Sequence, residues 1–401
     1  MVKKSSKRQI HVGGIEISRR ARQLVLQALK SNRLSYGPFH QKFEQGFARA
    51  HHARHAIFTV SGTCALQIAL HTLKSIHGWK DNDEVIVPAL TFIATSNIVL
   101  ANRMKPVFVD VDPRTYNIDP SLIERAVTPK TRCIILVHLL GLPADMDPIL
   151  KIAKKYQLKI IEDSCETMFA KYKNKTVGSI GDIGCFSTYT AHFIVTGVGG
   201  IATTNNPAYH IKMRSLMNHG RDSIYLSIDD DEGARGSKLK EIVSRRFRFE
   251  DVGYSYRCTE MEAALGIAQL EDKDMIIKKR RWVAQYLNKH LRPLADKLQL
   301  PEEPDDRDHV FMLYGITVKK EPKFRLINFL EERGIETRDL FPLLNQPVMR
   351  KLFGKSIENR FPVAKFLNRH AFYIGCHQYL SKEDLDYVVK IFYDYFNQKR
   401  H

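Results

Sequence analysis

The chain has 401 residues, of which 44% are apolar and 26% charged, and a formal net charge of +18. This balance excludes a protein that is mainly disordered, collagen-like or coiled coil. The length allows two or three domains at roughly 150 residues each. The charge, 62 Lys and Arg against 44 Asp and Glu, raises nucleic acid as a partner, although its location counts for more than its sum.

The basic residues concentrate in three stretches that lie far apart in sequence, residues 1–35, 238–248 and 278–281. Only the second carries the interleaved aromatics typical of single-strand binders, Phe247 and Phe249. Charge runs usually solvate a surface. We therefore expect solvated faces and a basic N-terminal arm without a nucleic-acid partner. An anionic small substrate or an anionic membrane surface is the alternative use of the charge.

No apolar stretch has the character of a membrane span or a signal peptide. Residues 85–102 lack charged side chains and His, but their apolar character ends after Leu90. The six cysteines are scattered without a CxC or CxxC pair, which argues against a zinc or iron–sulfur site and a disulfide scaffold. We expect a cytoplasmic protein with no membrane span and no bound metal.

Short apolar runs alternate with helical patterns in the first half of the chain. In chain order, the sequence predicts strands at residues 84–88, 106–111, 133–138 and 158–162, and helices at 122–127 and 147–156. Repeated β–α alternation predicts a parallel sheet covered on both faces, with ligands bound at the carboxyl ends of its strands.

The pattern changes after a helical stretch at residues 256–292. It then predicts a strand at 310–318 and helices at 323–333 and 382–398. We therefore expect an α/β protein with a mixed, mostly parallel sheet and a smaller C-terminal α+β domain. The expected boundaries are a basic arm at residues 1–20, a large domain at 21–295 and a small domain at 296–401.

Three motifs carry chemistry, and the first is Ser61-Gly62-Thr63 before a helical run. A small turn that opens a helix exposes backbone N–H groups to a phosphate, although such turns are also common helix N-caps. The second, Glu162-Asp163-Ser164, ends an apolar strand. A carboxylate there can face the ligand crevice and hold the pyridine nitrogen of pyridoxal phosphate, or it can simply cap a helix.

The third motif spans residues 178–200 and combines two glycine clusters with a hydroxyl-rich turn. Ser187 could donate a hydrogen bond to a phosphate. His192 lies five residues later, where its ring could reach the same crevice, although a lone His is more often structural.

These motifs together resemble the DegT/StrS family of pyridoxal-phosphate-dependent nucleotide-sugar aminotransferases. The matching segments, in the order and approximate spacing of the family, are SGT at 61–63, PALTF at 88–92, PVFVDVD at 106–112, VHLLGLP at 137–143, ED at 162–163, GDIGCFS at 181–187, GVGG at 197–200 and EAALGIAQL at 262–270. The resemblance covers about residues 10–395. It implies the pyridoxal-phosphate-dependent transferase fold of type I and a homodimer with active sites at the subunit interface.

The resemblance also implies roles for single residues. Gly62, Thr63 and Ser187 would hold the cofactor phosphate, Phe92 would stack on the ring, and Asp163 would pair with the pyridine nitrogen.

Three further positions are implied less directly. Glu166 stands where members commonly have Gln facing the ring hydroxyl, and it could instead serve acid–base chemistry. Ser255 stands where they often have Asn reaching the partner's phosphate. Arg338, in a TRDLF stretch at 337–341 followed by NQP at 345–347, would meet a substrate anion or form a surface ion pair.

The main departure from the family is His192. The family's aminotransferases carry a Lys at this position that binds the cofactor covalently, and a His cannot do so. A branch of the family that carries His resembles sugar 3-dehydratases, which act on nucleotide-linked 4-keto-6-deoxyhexoses with free pyridoxamine phosphate. There the His would be the base, and imidazole suits this because its pKa of about 6.5 lies near operating pH. Tyr189 is a possible helper or a packed aromatic.

Two subgroups of these dehydratases differ in how the cofactor is regenerated. One uses an iron–sulfur cluster with a reductase partner, which the scattered cysteines do not support. The other uses glutamate as amino donor, and we favour it here by elimination.

Two other functions stay open at this stage. The first is an aminotransferase with altered chemistry that works through another Lys, although Lys171, Lys173 and Lys175 lie on a polar loop and look poorly placed. The second is a non-catalytic member that binds cofactor or sugar as a scaffold or regulator.

Overall fold

The computed structural model describes residues 8–227 and 229–398. The helices and strands up to residue 291 are, in chain order, α1 (Arg19–Lys30), α2 (Pro38–Ala50), β1 (His55–Thr59), α3 (Gly62–His77), β2 (Glu84–Pro88), α4 (Ala94–Ala101), β3 (Lys105–Val109), β4 (Thr131–Val137), α5 (Met146–Tyr156), β5 (Lys159–Asp163), β6 (Lys171–Tyr172), β7 (Lys175–Thr176), β8 (Ile183–Ser187), β9 (Gly200–Thr204), α6 (Pro207–Leu216), α7 (Gly236–Arg245), α8 (Glu260–Glu271) and α9 (Lys273–Leu291).

The larger sheet has seven strands in the order β1–β9–β8–β5–β4–β2–β3. β9 is antiparallel to both of its neighbours, and the four pairings from β8 to β3 are parallel. The strands are almost entirely buried, as expected when helices cover both faces of a sheet. The predicted α/β class with a mixed, mostly parallel sheet is confirmed.

The remaining elements, in chain order, are β10 (Leu298–Gln299), β11 (Leu313–Val318), α10 (Phe324–Glu331), β12 (Thr337–Asp339), α11 (Pro347–Phe353), α12 (Pro362–His370), β13 (Ala371–Gly375) and α13 (Lys382–Gln398). The strands form an antiparallel sheet in the order β10–β11–β13–β12. Its core also takes in Val283 and Leu287 of α9 and Ile10 of the N-terminal arm. The domain boundary expected at residue 295 stays a prediction. Helix α9, which precedes this boundary, already packs into the core of the second sheet.

The N-terminal arm crosses the second sheet before α1 begins. The backbone of Ile10 pairs with that of Ile335, and the Val12 N–H donates to Glu336 Oε2 at 2.9 Å. The first basic residues of the predicted arm, residues 1–7, lie outside the described residues. Among the residues described, no helix is both long and apolar enough to cross a membrane.

The strands expected at residues 84–88, 106–111, 133–138 and 158–162 are observed as β2, β3, β4 and β5, within two residues at each end. The helix expected at 122–127 is wrong, because the chain forms two short 3₁₀ turns there, at Pro120–Leu122 and Glu124–Ala126. Pro129 disfavours helical geometry at Thr128, so a helix that started here could not extend beyond residue 127.

The strand expected at 310–318 begins three residues later than expected, at Leu313. The N–H groups of Val310 and Met312 donate instead to the carbonyls of Gly141 and Leu140. Residues 310–312 therefore bind the large sheet's connecting segment rather than the second sheet.

Glu162 and Asp163 are neighbours on β5, so their side chains face opposite sides of the sheet. On the first side, Glu162 is fully buried and accepts four hydrogen bonds. His138 Nε2 donates at 3.0 Å, and three backbone N–H groups of the turn at residues 178–181 donate at 2.6 to 2.8 Å. Since His138 Nδ1 accepts from the Ala144 N–H, Nε2 carries the proton. This carboxylate therefore fixes the turn that leads into β8.

We expect Glu162→Ala to lower the free energy of unfolding by about 3–5 kcal/mol, because it leaves several buried donors without an acceptor. Glu124→Ala is the matched control, since this carboxylate is exposed and accepts from Lys155 and Tyr156 at the surface. Urea unfolding followed by circular dichroism measures both, and a Glu162→Ala protein as stable as Glu124→Ala would contradict this account of the turn.

Candidate active site

A cavity of about 400 Å³ opens at the carboxyl ends of the parallel strands. Residues at or just beyond the ends of β1, β2, β4, β5 and β8 line it, and the second sheet supplies part of its wall. It brings together eight predicted site residues: Gly62, Thr63, Phe92, Asp163, Glu166, Ser187, Tyr189 and His192. The ligand crevice therefore lies where parallel strand order predicts it.

The phosphate-sized end of the cavity is built on the N-terminus of α3. Ser61 caps the helix through Oγ, which accepts from the Cys64 N–H at 3.1 Å. The first N–H groups of a helix have no acceptor within the helix, and the helix dipole makes this end positive. A Cβ at Gly62 would lie 2.8 Å from both Cys165 Sγ and Ser187 Cβ. Glycine is thus required for Ser187 to approach the helix end.

Asp163 faces the cavity from the end of β5. Its Oδ2 accepts from Thr95 Oγ1 at 2.7 Å, and its Oδ1 accepts from the Cys165 N–H at 3.3 Å. Thr91 Oγ1 lies 2.9 Å from Thr95 Oγ1 and extends this chain of hydroxyls. Burial raises the pKa of Asp163, so its carboxylate gains from a cationic partner such as a protonated pyridine nitrogen.

Phe92 and Glu166 supply the remaining contacts that a flat heteroaromatic ring needs. Phe92 lines the cavity while 58% of it is exposed, so its face is free for stacking. Glu166 is buried and accepts from the Leu140 N–H at 3.0 Å. Burial, followed by the negative charge of Asp163, raises the pKa of Glu166 to about 8, against the Leu140 hydrogen bond. Glu166 is therefore mostly protonated at pH 7 and can donate a hydrogen bond, as the amide of Gln does.

His192 presents a neutral imidazole to the cavity. Its Nδ1 lies 3.2 Å from the Tyr189 carbonyl oxygen, which can only accept, so Nδ1 carries the proton and Nε2 the lone pair. Burial lowers the pKa of His192 to about 4, the Tyr189 carbonyl opposes this, and Arg280 adds to it. The ring can therefore act as a base at neutral pH. Tyr189, 57% exposed, lies edge-on at 6.4 Å between ring centroids.

The loop that carries His192 is held by residues whose role the sequence did not indicate. Gln269 of α8 clasps Val195, donating to its carbonyl at 2.8 Å and accepting from its N–H at 2.9 Å. Thr188 and Thr196 bind each other across the base of the loop at 2.6 Å. Gln269 belongs to the EAALGIAQL segment, which carries the family resemblance but does not by itself predict this contact.

Among the described residues no lysine lines this cavity. Lys171 and Lys175 lie on the β6–β7 hairpin, and Lys173 pairs with Asp147 at the surface. Lys323 is the buried lysine of the described chain, and it donates to the Ala371 carbonyl at 2.6 Å and pairs with Asp339 at 2.8 Å. None of these four lysines lines the cavity that contains His192.

Two predicted site residues lie outside the cavity. Ser255 forms a backbone bridge with Asn218, and its expected contact with a partner's phosphate stays a prediction. Arg338 lines an adjoining groove, which shares Phe92 with the cavity. Its guanidinium already donates to Glu336 and to the Thr337 carbonyl. A substrate anion would compete with these acceptors.

The residues of the cavity fit pyridoxal phosphate: a helix end and a hydroxyl for the phosphate, an open aromatic face, and a buried acid for the ring nitrogen. The model of the DegT/DnrJ/EryC1/StrS aminotransferase family matches residues 16–393. The chain belongs to this family. The family is pyridoxal-phosphate-dependent, so the expected cofactor and the type I transferase fold are confirmed.

The names of several relatives refer to enzymes or pathways that modify sugars. The chain is 34% identical over 388 residues to the lipopolysaccharide biosynthesis protein RfbH of Salmonella typhimurium, covering 93% of this chain and 89% of that one. It is 33% identical to the GDP-perosamine synthase of Caulobacter vibrioides, covering 95% and 96%. The structure of GDP-4-keto-6-deoxy-D-mannose-3-dehydratase from E. coli with bound hydrated pyridoxal phosphate superimposes with a TM-score of 0.86, at 26% identity, over 96% of this chain and all of that one.

We expect the titration of Glu166 to make stability fall as pH rises. Because the folded pKa of about 8 lies above the ordinary value of 4.5, the folded protein holds an extra proton between these values. The stabilisation that this proton gives is fully present below about pH 4.5. It falls by up to about 1.4 kcal/mol per pH unit as pH rises above this value, and it is lost once pH has risen through about 8. Glu166→Gln should remove this part of the slope.

Unfolding of the apo-protein at pH 5 and pH 8 measures the effect. Glu271→Gln is the control, because Arg20 lowers the pKa of this carboxyl and it stays ionised at both pH values. Equal pH dependence in wild type and Glu166→Gln would show that Glu166 is ionised in the folded protein.

Proposed function

We propose that this protein is a 3-dehydratase that acts on a nucleotide-linked 4-keto-6-deoxy sugar with pyridoxamine phosphate, and that His192 is its base. The observation that carries the proposal is His192 itself. It lines the cavity at the loop position where the family's aminotransferases have their Lys, and among the described residues no lysine lines that cavity. The site is therefore equipped to move a proton but not to bind the cofactor covalently.

The cofactor, when bound, supplies an electron-withdrawing ring that stabilises negative charge at the reacting carbon. The protein's own groups position it. The N–H groups at Gly62 and Thr63 and the Ser187 hydroxyl would hold the phosphate, Phe92 would stack on the ring, and Asp163 would pair with the ring nitrogen. Thr95 keeps the Asp163 carboxylate in the orientation that this contact needs.

The acid–base work falls to groups whose protonation suits it. His192 Nε2 has the lone pair and accepts the proton, while Nδ1–H stays bound to the Tyr189 carbonyl. Tyr189 lines the same cavity and would assist proton movement at the hydroxyl that leaves. Glu166, whose pKa is raised to about 8, would donate a hydrogen bond to the ring hydroxyl, in place of the Gln of other members.

The E. coli 3-dehydratase supports this proposal by similarity over nearly the whole chain. The same proposal includes glutamate as the amino donor, a homodimer with Ser255 at the partner's cofactor, a substrate anion at Arg338 and a cytoplasmic location. The second candidate is an aminotransferase of altered chemistry, which the GDP-perosamine synthase relative favours. A non-catalytic member is the third, and cofactor binding followed by turnover excludes it.

Cofactor trapping tests the proposal. We expect pyridoxal phosphate and glutamate to give a pyridoxamine spectrum with the purified protein, and borohydride to leave no cofactor on the protein. A covalent adduct located by mass spectrometry would contradict the proposal and support the aminotransferase. Failure to bind the cofactor at all would favour the non-catalytic member.

We expect His192→Lys to restore covalent trapping and to abolish dehydration, because it places an amine at the same point of the cavity. His192→Asn is the matched control, with neither amine nor base, and it should show no trapping and no dehydration. Absorbance spectra before and after borohydride distinguish the two variants. Dehydration at the wild-type rate in His192→Asn would show that another group is the base.

A further inference from the structure

Arg280 is a buried cation that lies directly behind His192. It belongs to α9, and only 2% of its surface is exposed. Its Nη1 donates to the carbonyls of Met312 at 2.7 Å and Cys376 at 3.1 Å, and its Nη2 donates to the His192 carbonyl at 3.3 Å. The Phe193 ring lies 4.7 Å from the guanidinium carbon.

This guanidinium is bound by carbonyls instead of a carboxylate. Burial lowers the pKa of Arg280 to about 10, and the Cys376 thiol and the Tyr379 hydroxyl oppose this. Among the described residues no carboxylate acts on the guanidinium, and its Nε has no hydrogen-bond partner. Burying a cation without a counter-ion is unfavourable for folding. The three hydrogen bonds to carbonyls offset part of this unfavourable free energy. The positions of these carbonyls in the fold indicate what Arg280 does.

The three carbonyls come from parts of the chain that are distant in sequence. Met312 immediately precedes β11, Cys376 immediately follows β13, and His192 lies on the loop after β8. Met312 also lines the cavity. One side chain therefore joins α9, the second sheet and the loop that carries the proposed base. Only a planar guanidinium offers donors in several fixed directions for such a set.

We propose that Arg280 is a positioning residue, which fixes the backbone of His192 against the second sheet so that Nε2 faces the cavity. This inference rests on the proposed function of His192 as base. The peptide carbonyl held by Arg280 belongs to His192 itself, so a shift of this bond moves the imidazole directly. The cation also disfavours a second positive charge on the ring.

Other charged or titratable groups share the surroundings of the imidazole. Tyr189 contacts it from its own loop, Asp163 and Glu166 line the same cavity from β5 and the turn after it, and Tyr373 lines it from β13. Because Arg280 is the cation among them, its removal is expected to make His192 easier to protonate.

The test uses full-length apo-protein labelled with ¹⁵N-histidine, with the His192 signals assigned by their loss in His192→Asn. In Arg280→Met, we expect the pH midpoint of His192 to move upward. Arg280→Lys should keep the pH midpoint of His192 nearer to the wild-type value, because it retains the positive charge. It lacks the planar set of N–H donors that binds the three carbonyls. Arg281→Met is the control, since Arg281 donates to the His309 carbonyl and pairs with Asp308 instead.

The second readout is the rate at which glutamate converts the spectrum of added pyridoxal phosphate. We expect both Arg280 variants to lower kcat of this conversion about tenfold or more, with a smaller change in the KM for glutamate, as misplacement of a reacting group does. Arg281→Met should leave both parameters unchanged. Thermal unfolding of each variant checks that it is folded.

An unchanged His192 midpoint in folded Arg280→Met would overturn the inference. If that variant does not fold, Arg280→Lys decides, and a wild-type kcat there would overturn it equally. Failure of the proposed function looks different. His192→Asn would then convert the spectrum at the wild-type rate, while the ¹⁵N titration would still report whether Arg280 acts on His192.

Discussion

The buried carboxylate of Glu162 is the constraint on which the site depends. It accepts from His138, the residue that follows β4, and from three N–H groups of the turn before β8, so it ties together the segments next to the two strands that flank β5. Because side chains alternate along a strand, the same residue pair turns Asp163 toward the cavity. β8 then ends at Ser187, beside the N-terminus of α3, and the His192 loop follows. The hydrogen bonds of Glu162 on one side of the sheet thus position the cavity residues on the other side.

Burial gives the groups of the cavity their protonation states. The same exclusion of water raises the pKa of Glu166 to about 8 and lowers the pKa of His192 to about 4. At neutral pH the cavity therefore holds an uncharged base, His192, and a mostly uncharged acid, Glu166. This environment suits proton transfer, because the neutral His192 can accept a proton and the protonated Glu166 can donate one.

Much of the fold and of the site could be predicted because the signals are local. The apolar runs of β2 to β5 mark strands buried on both faces, and parallel strands end at one edge, which predicts that Gly62, Asp163 and Ser187 meet there. The helix at 122–127 was wrong: the short run lies between Pro120 and Pro129, and the chain forms two 3₁₀ turns there, with extended backbone already at Val127.

The remainder depends on contacts between distant parts of the chain. The bond from Thr95 to Asp163, the clasp of Gln269 on Val195 and the wall that Tyr373 supplies join segments that no local pattern connects. For Arg338 the sequence context leaves a substrate anion and a surface ion pair as alternatives. The structure shows an ion pair with Glu336, and the substrate anion stays a prediction.

We propose that His192 makes this member of an aminotransferase family a dehydratase. The most direct measurement is mass spectrometry of the sugar product after the protein is incubated with pyridoxal phosphate, glutamate and a nucleotide-linked 4-keto-6-deoxyhexose such as GDP-4-keto-6-deoxymannose. The account predicts a sugar that has lost the hydroxyl at carbon 3 and carries no new nitrogen. A product in which the ketone has been replaced by an amine, with the hydroxyl retained, would contradict it.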